Sequence, residues 1–174
     1  MIERMKKRMT MKEKIDEAKV QGIDICNSDI LLKDGNVVGI YKFFRCKKDG
    51  ENGENDEFCF YIGKSTDVAG RLLGSGGHIY MYLMNKDFDF SELVPQKIKE
   101  YLGEGYKIKV VIKEVNYSDT SFSKAAHRLA YEELKEIVKY QEEGECLFQT
   151  PEGVGDYQKI FWENNYKKED QQSN

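Results

Sequence analysis

Two tyrosines, Tyr41 and Tyr61, with Lys64 just beyond the second and Arg71 one short helix later, are residues whose types and spacing could do chemistry together. Arginine stays charged at any physiological pH and presents a fork of donors to phosphate, which lysine cannot do bidentately. A tyrosine has an unperturbed pKa near ~10, so it serves as a base only with help from a nearby cation, and Lys64 is suitably placed. A carboxylate completes the set, and Glu132 and Glu133 both lie in a long stretch of helical spacing. Hydrolysis of a phosphodiester needs a nucleophilic water, a cation facing the charge that develops on the phosphorane oxygens, and a group that stabilises the leaving alkoxide. Taken singly, each residue has an ordinary explanation. Tyrosines are common in strands, Arg71 would be a solvated helix residue, and a lone glutamate one member of a charged face.

The elements that must position these residues follow from periodicity and turn chemistry. Ile30 to Leu32, a turn at Asp34-Gly35-Asn36, and Val37 to Phe44 resemble a hairpin. Lys47 to Glu57 is polar and acidic, hence a loop, and Phe58 to Ile62 is a short strand. Gly39-Ile40-Tyr41 and Tyr61-Ile62-Gly63 therefore fall on neighbouring strands. Lys64-Ser65-Thr66-Asp67 offers caps for a helix through Val68, Leu72 and Leu73, stopped by Gly74-Ser75-Gly76-Gly77, and this helix carries Arg71. The glycine run lacks the GK[ST] ending of a phosphate cradle and reads as a flexible turn. Tyr80 to Met84 is apolar and undecided in state. Ser91 looks like an N-cap for a helix through Tyr101, and Tyr106 to Val115 alternates as a third sheet strand. Ser121 to Tyr140 is the long helix. Glu133 shares a stripe with Ala126, Ala130 and Ile137, which favours it over the offset Glu132 for facing the sheet. Met11 to Val20 forms a weak amphipathic helix at one end, and Ile160-Phe161-Trp162 is expected to pack back near the other. The expected fold is α/β (α+β), with a small three-stranded, mainly antiparallel sheet flanked by helices. Its segments are a lead-in over 1–36, a main unit over 37–150 and an extension over 151–174.

The pattern resembles the GIY-YIG nuclease family, whose motif stands here literally as Gly39-Ile40-Tyr41 and Tyr61-Ile62-Gly63, followed by Lys64 and Arg71. The resemblance spans Val37 to Gln149. One tripeptide alone carries nothing, but two on consecutive strands with an arginine one helix later form a rare conjunction. It implies a DNA endonuclease in which Tyr41 is the general base, Tyr61 its partner, and Arg71 the fixed charge on the phosphate. It also implies a hard divalent cation, Mg²⁺ or Mn²⁺, held by the single carboxylate of Glu133 or Glu132. The sequence departs from the family where a His or Tyr often follows the arginine by one helical turn. Ser75 stands there, and His78 three residues later is the candidate substitute. Gln149 occupies the region where the family often has an asparagine.

The chain's 174 residues suit one domain, and a composition 40% hydrophobic and 33% charged is too apolar for wholesale disorder. A net charge of -4 argues against coating nucleic acid by bulk electrostatics, although basic residues cluster at Arg4 to Lys14, Lys42 to Lys48 and Lys107 to Lys113. The four cysteines show no zinc spacing and read as reduced thiols. No signal peptide or membrane-spanning run is visible, so a cytoplasmic protein with no membrane partner is expected. Two other classes fit the composition: a DNA-binding module without catalysis, and a protein-interaction domain using aromatics such as Trp162 and Tyr166. DNA binding without cleavage would mark the first, and failure to bind DNA at low salt the second. Oligomeric state is open, with a dimer one way to cut both strands.

Overall fold

Alternation of Ile108, Val110 and Ile112 with lysines makes Lys107–Glu114 a strand with one face in the core. It is one of two central strands of the sheet in the computed structural model of the chain, which describes residues 8–47, 56–87 and 89–169. The strands are β1 (Ile23–Cys26), β2 (Gly39–Cys46), β3 (Phe58–Ser65) and β4 (Lys107–Glu114). Their order across the sheet is β1-β4-β2-β3, with β2 antiparallel to both neighbours and β1 parallel to β4. The sheet is thus four-stranded and mixed, not the expected three-stranded, mainly antiparallel one. The strand expected over Ile30 to Leu32 is instead a 3₁₀ turn over Ser28–Leu32, entered through the left-handed Asn27 and held by the buried Leu31. With no strand there, the expected hairpin is absent too. The expected loop over Lys47 to Glu57 falls largely on residues 48–55, outside the described residues.

The described residues form six helices: α1 (Met11–Val20), α2 (Val68–Leu73), α3 (His78–Met84), α4 (Leu93–Gly103) and α5 (Phe122–Glu142), which pack on the sheet, and α6 (Asp156–Asn165), which does not. Tyr80 to Met84 resolves into α3. The helix expected from Ser91 starts at Leu93, and no side chain caps its first turn. The main core lies between one sheet face and α1 to α4, through Ala18, Ile25, Phe43, Phe60, Leu72, Ile79, Ile98 and Val110. A smaller cluster, Phe44, Cys59, Ile62 and Cys146 with Ile137 and Tyr140, lies under α5 on the other face. Ile160-Phe161-Trp162 does not pack back; it belongs to α6, every residue of which is exposed. Among the described residues no helix is long and apolar enough to cross a membrane.

Two details of the sheet set the site. The β2–β3 register shifts between Phe43 and Phe44, where Phe43 pairs Tyr61 and Phe44 pairs Cys59. The bulge leaves Phe60 without a partner of its own and sends Tyr61 toward Tyr41 while Ile62 meets α5. The first motif glycine, Gly39, is fixed by backbone proximity. A Cβ there would overlap the carbonyl oxygen of Lys113 on β4, and main chain in mid-sheet cannot swing aside. Gly39→Ala is accordingly expected to destabilise the fold by about 3 kcal/mol, the upper range of overpacking costs, as read from urea unfolding midpoints. A variant as stable as the parent would show that β2 and β4 separate freely at this point.

Candidate functional site

Tyr41 occupies the middle of the site. Its ring is buried at 1% exposure, stacked at a tilt on Tyr61 with centroids 6.2 Å apart. A Cβ at Gly63 would come within 2.5 Å of the Tyr41 Cζ and hydroxyl oxygen, so the second motif's glycine is the floor on which this ring lies. The Tyr41 hydroxyl accepts from Arg71 Nε at 3.4 Å and sits 3.2 Å from His78 Nε2. Arg71 reaches it from α2, whose start is capped by Asp67 accepting from Gly70 N–H at 2.9 Å and whose Leu72 and Leu73 are fully buried. Burial, and then the neighbouring Tyr61, hold the Tyr41 phenol well above its ordinary pKa, with Arg71 opposing them. Tyr41 is therefore a protonated phenol at neutral pH. The cation touching it is Arg71, not Lys64 as the spacing suggested.

His78 opens α3 and is buried among the rings of Tyr41, Phe43 and Tyr61. Its Nδ1 is buried without a partner among the described residues. Burial first, and then the charge of Arg71, push its pKa down to about 4. An imidazole that binds a proton near ~6.5 when unfolded and near 4 when folded leaves the unfolded state holding more protons between those values. Stability therefore falls as pH falls through that window. From pH 7.5 to pH 5 the expected loss from His78 is about 2 kcal/mol. Glu132 and Glu136, held below the ordinary carboxylate range by lysines, lose their contribution at lower pH. Urea unfolding at the two pH values should show this loss in the parent and a flatter response in His78→Gln; parallel losses in both would contradict it.

The carboxylate comes from the opposite face. Ser121 caps α5 by accepting from Lys124 N–H, and the helix is pinned across the sheet by Lys42 to Glu136 at 3.0 Å and Lys113 to Glu132 at 2.9 Å. Glu132 and Glu136 thus point at β2 and β4. Glu133, one residue round the helix, points at β3, where its carboxylate lies 3.1 Å from Lys64 Nζ. Glu152 stands 3.9 Å from the same ammonium at the solvent edge. Tyr41, Tyr61, Lys64, Arg71, Glu133 and Gln149 all line one open cleft of about 690 Å³ that wraps round the β3 edge of the sheet. Glu132 lines a different depression, beside Lys113 and Arg128, and the exposed Ser75 does not reach the cleft. His78 joins the site through Tyr41.

Gln149 is committed to structure. Its Oε1 accepts from Ile62 N–H at 2.8 Å and its Nε2 donates to Ile62 C=O at 2.7 Å, which holds the cleft wall onto β3. Leu129, Phe148 and Thr150 also line the cleft, and nothing in their sequence context set them apart. Phe148 is 47% exposed there. Among the described residues no group of three or more His, Cys, Asp and Glu side chains gathers to hold a metal. A hard cation that keeps most of its waters needs only one carboxylate and open space, and Glu133 at the cleft wall fits that requirement. No family model, curated protein or solved structure matches the chain.

Proposed function

We propose that the chain is a metal-dependent DNA endonuclease of the GIY-YIG type, hydrolysing phosphodiester bonds in the cleft at the β3 edge, with residues 37–150 as its catalytic unit. The observation that carries this proposal is convergence. Tyr41 from β2, Tyr61 and Lys64 from β3, Arg71 from α2 and Glu133 from α5 line one cleft, although they span more than half of the chain.

In this scheme the guanidinium of Arg71 keeps Nε on the Tyr41 oxygen and turns its remaining donors to the scissile phosphate, where negative charge grows in the transition state. Tyr41, protonated at rest, takes a proton from the attacking water as its own passes to Nε2 of neutral His78, so no free phenolate has to form. Tyr61 packs against Tyr41 and keeps water from its flank. Glu133 is the residue that would hold Mg²⁺ or Mn²⁺, whose chemistry here would be Lewis-acid stabilisation of the leaving oxygen. Lys64 neutralises that carboxylate and moves to a phosphate oxygen when DNA enters. The half-exposed Phe148 ring on the cleft wall suits stacking on a nucleobase.

Supercoiled plasmid incubated with the protein and Mg²⁺, against the same reaction with chelator, tests this function. Nicked or linear product that needs the metal is the expected result. Plasmid that is bound at low salt and stays intact at every metal concentration would replace the nuclease with a DNA-binding module.

A further inference from the structure

Helix α6 lacks tertiary support. Every described residue from Pro151 to Glu169 is exposed, and among the described residues no side-chain hydrogen bond, ion pair or ring contact joins α6 to another element. A helix of ten residues is marginal in water on its own. Its composition is also wrong for a solvated helix. Tyr157, Ile160 and Phe161, at i, i+3 and i+4, are 81%, 55% and 52% exposed, and Trp162 and Tyr166 are as open. The four aromatic side chains alone present about 500 Å². That is in the upper part of the range of largest apolar patches on monomers, roughly 300–600 Å².

The same chain carries a matching receptor. On α5 the outward stripe Tyr131, Leu134 and Val138, at i, i+3 and i+7, is 47–62% exposed. Beside it runs a groove of about 350 Å³ whose apolar lining is Ala130, Leu134, Ile137, Val138 and Pro151, with the Lys64–Glu133 pair and other polar side chains along its rim. The chain cannot readily fill this groove with its own helix. Residues Thr150 to Glu152 already form one wall, and the three residues from Gly153 to Gly155 reach only about 10 Å, within which the chain would have to reverse. A second copy meets no such constraint.

We propose that the protein is a homodimer in which α6 of each copy lies in the α5 groove of the other. Such an exchange is two-fold symmetric and closes on itself. Two helices and two receiving grooves would bury roughly 2,000 Å², the upper end of standard stable interfaces. The groove shares Lys64, Glu133 and Gln149 with the cleft, but the proposal rests on α6 and the α5 stripe and its test reads association rather than cutting, so its failure is distinguishable from failure of the nuclease assignment.

Sedimentation equilibrium of the full chain tests it. The parent should sediment as two chains at micromolar concentration. The groove variant, Leu134→Asp with Val138→Asp, and the helix variant, Ile160→Asp with Phe161→Asp, should each dissociate roughly a hundredfold more readily. All four side chains are exposed, so both variants should keep the parent's slow amide hydrogen exchange in the central strands β2 and β4. Mixing the variants leaves one sound helix facing one sound groove in each pair, and weak association should return. A parent that stays a single chain at high micromolar concentration would overturn the proposal. So would a dimer that either variant leaves intact, or variants that show no association on mixing.

Discussion

Arg71→Ala is expected to cut supercoiled plasmid at least about a hundredfold more slowly than the parent, the loss that follows removal of one preorganised donor from a developing oxyanion. In the proposed mechanism two functions disappear with the guanidinium: the donors that would meet the phosphate, and the Nε–H that meets the Tyr41 oxygen at 3.4 Å. The fold should survive. Alanine keeps the helix propensity of α2, and that helix is held by the buried Leu72 and Leu73 and by the Asp67 cap, none of which the substitution touches. Arg71→Lys makes the measurement sharper. It restores the charge but not the fork, so it should recover only a small part of the rate if bidentate contact matters. Initial rates of nicking, with far-ultraviolet circular dichroism as the control for folding, decide the matter. An Arg71→Ala variant that cuts at the parental rate would remove the central residue of the proposed site.

Glu133→Gln is expected to reduce metal-dependent cutting by a further large factor, at least about a hundredfold, while Glu132→Gln stays close to the parent. The contrast comes from the helix register. Glu132 faces Lys113 and Lys135, away from the cleft, whereas Glu133 is part of the cleft wall. An amide keeps the size of the side chain and loses the charge, so DNA binding measured by fluorescence anisotropy should be retained. The rate should also cease to rise with Mg²⁺ in the range where the parent saturates. If Glu132→Gln silences the enzyme and Glu133→Gln does not, the cation is held on the β4 side of α5 and the cleft is misassigned.

Long periodic segments were legible before any coordinates. The helical spacing located α5 and strict alternation located β4, but the stripe Ala126, Ala130, Glu133, Ile137 misjudged which glutamate faces the sheet: the buried stripe runs through Ala125 and Leu129, so Glu132 also turns to the sheet, onto Lys113 of β4, while Glu133 turns to β3. The cap at Asp67 that starts α2 and the glycine run from Gly74 that stops it placed Arg71 on a short helix. What sequence could not convey was non-local. β1 has four residues, and its parallel partner lies 85 positions away, as in the pairing of Ile23 with Ile108, so no local pattern announces it. The apolar Ile30 to Leu32 mimicked a strand because one buried side chain in a 3₁₀ turn and three residues of strand look alike at that length. Lys64 follows Tyr61 closely in sequence, yet it lies on the other face of the sheet and pairs with Glu133; alternation across the pleat separates what the numbering brings together. The glycine turn carries His78 to within 3.2 Å of the Tyr41 hydroxyl, a contact across the core that no local pattern announces.

Strand β3 is also a border of the sheet, and borders recruit other chains. At Cys59 and Ile62 its outward main-chain groups are occupied: Gln149 forms two hydrogen bonds with Ile62, Glu145 accepts from Cys59 N–H at 3.2 Å, and the Cys146 thiol lies 3.2 Å from the Cys59 carbonyl. Side chains from beyond α5 thus stand in for a missing fifth strand. The wall that narrows the cleft serves solubility as well, because it denies fibril-like stacking of copies the template that a bare apolar strand would offer.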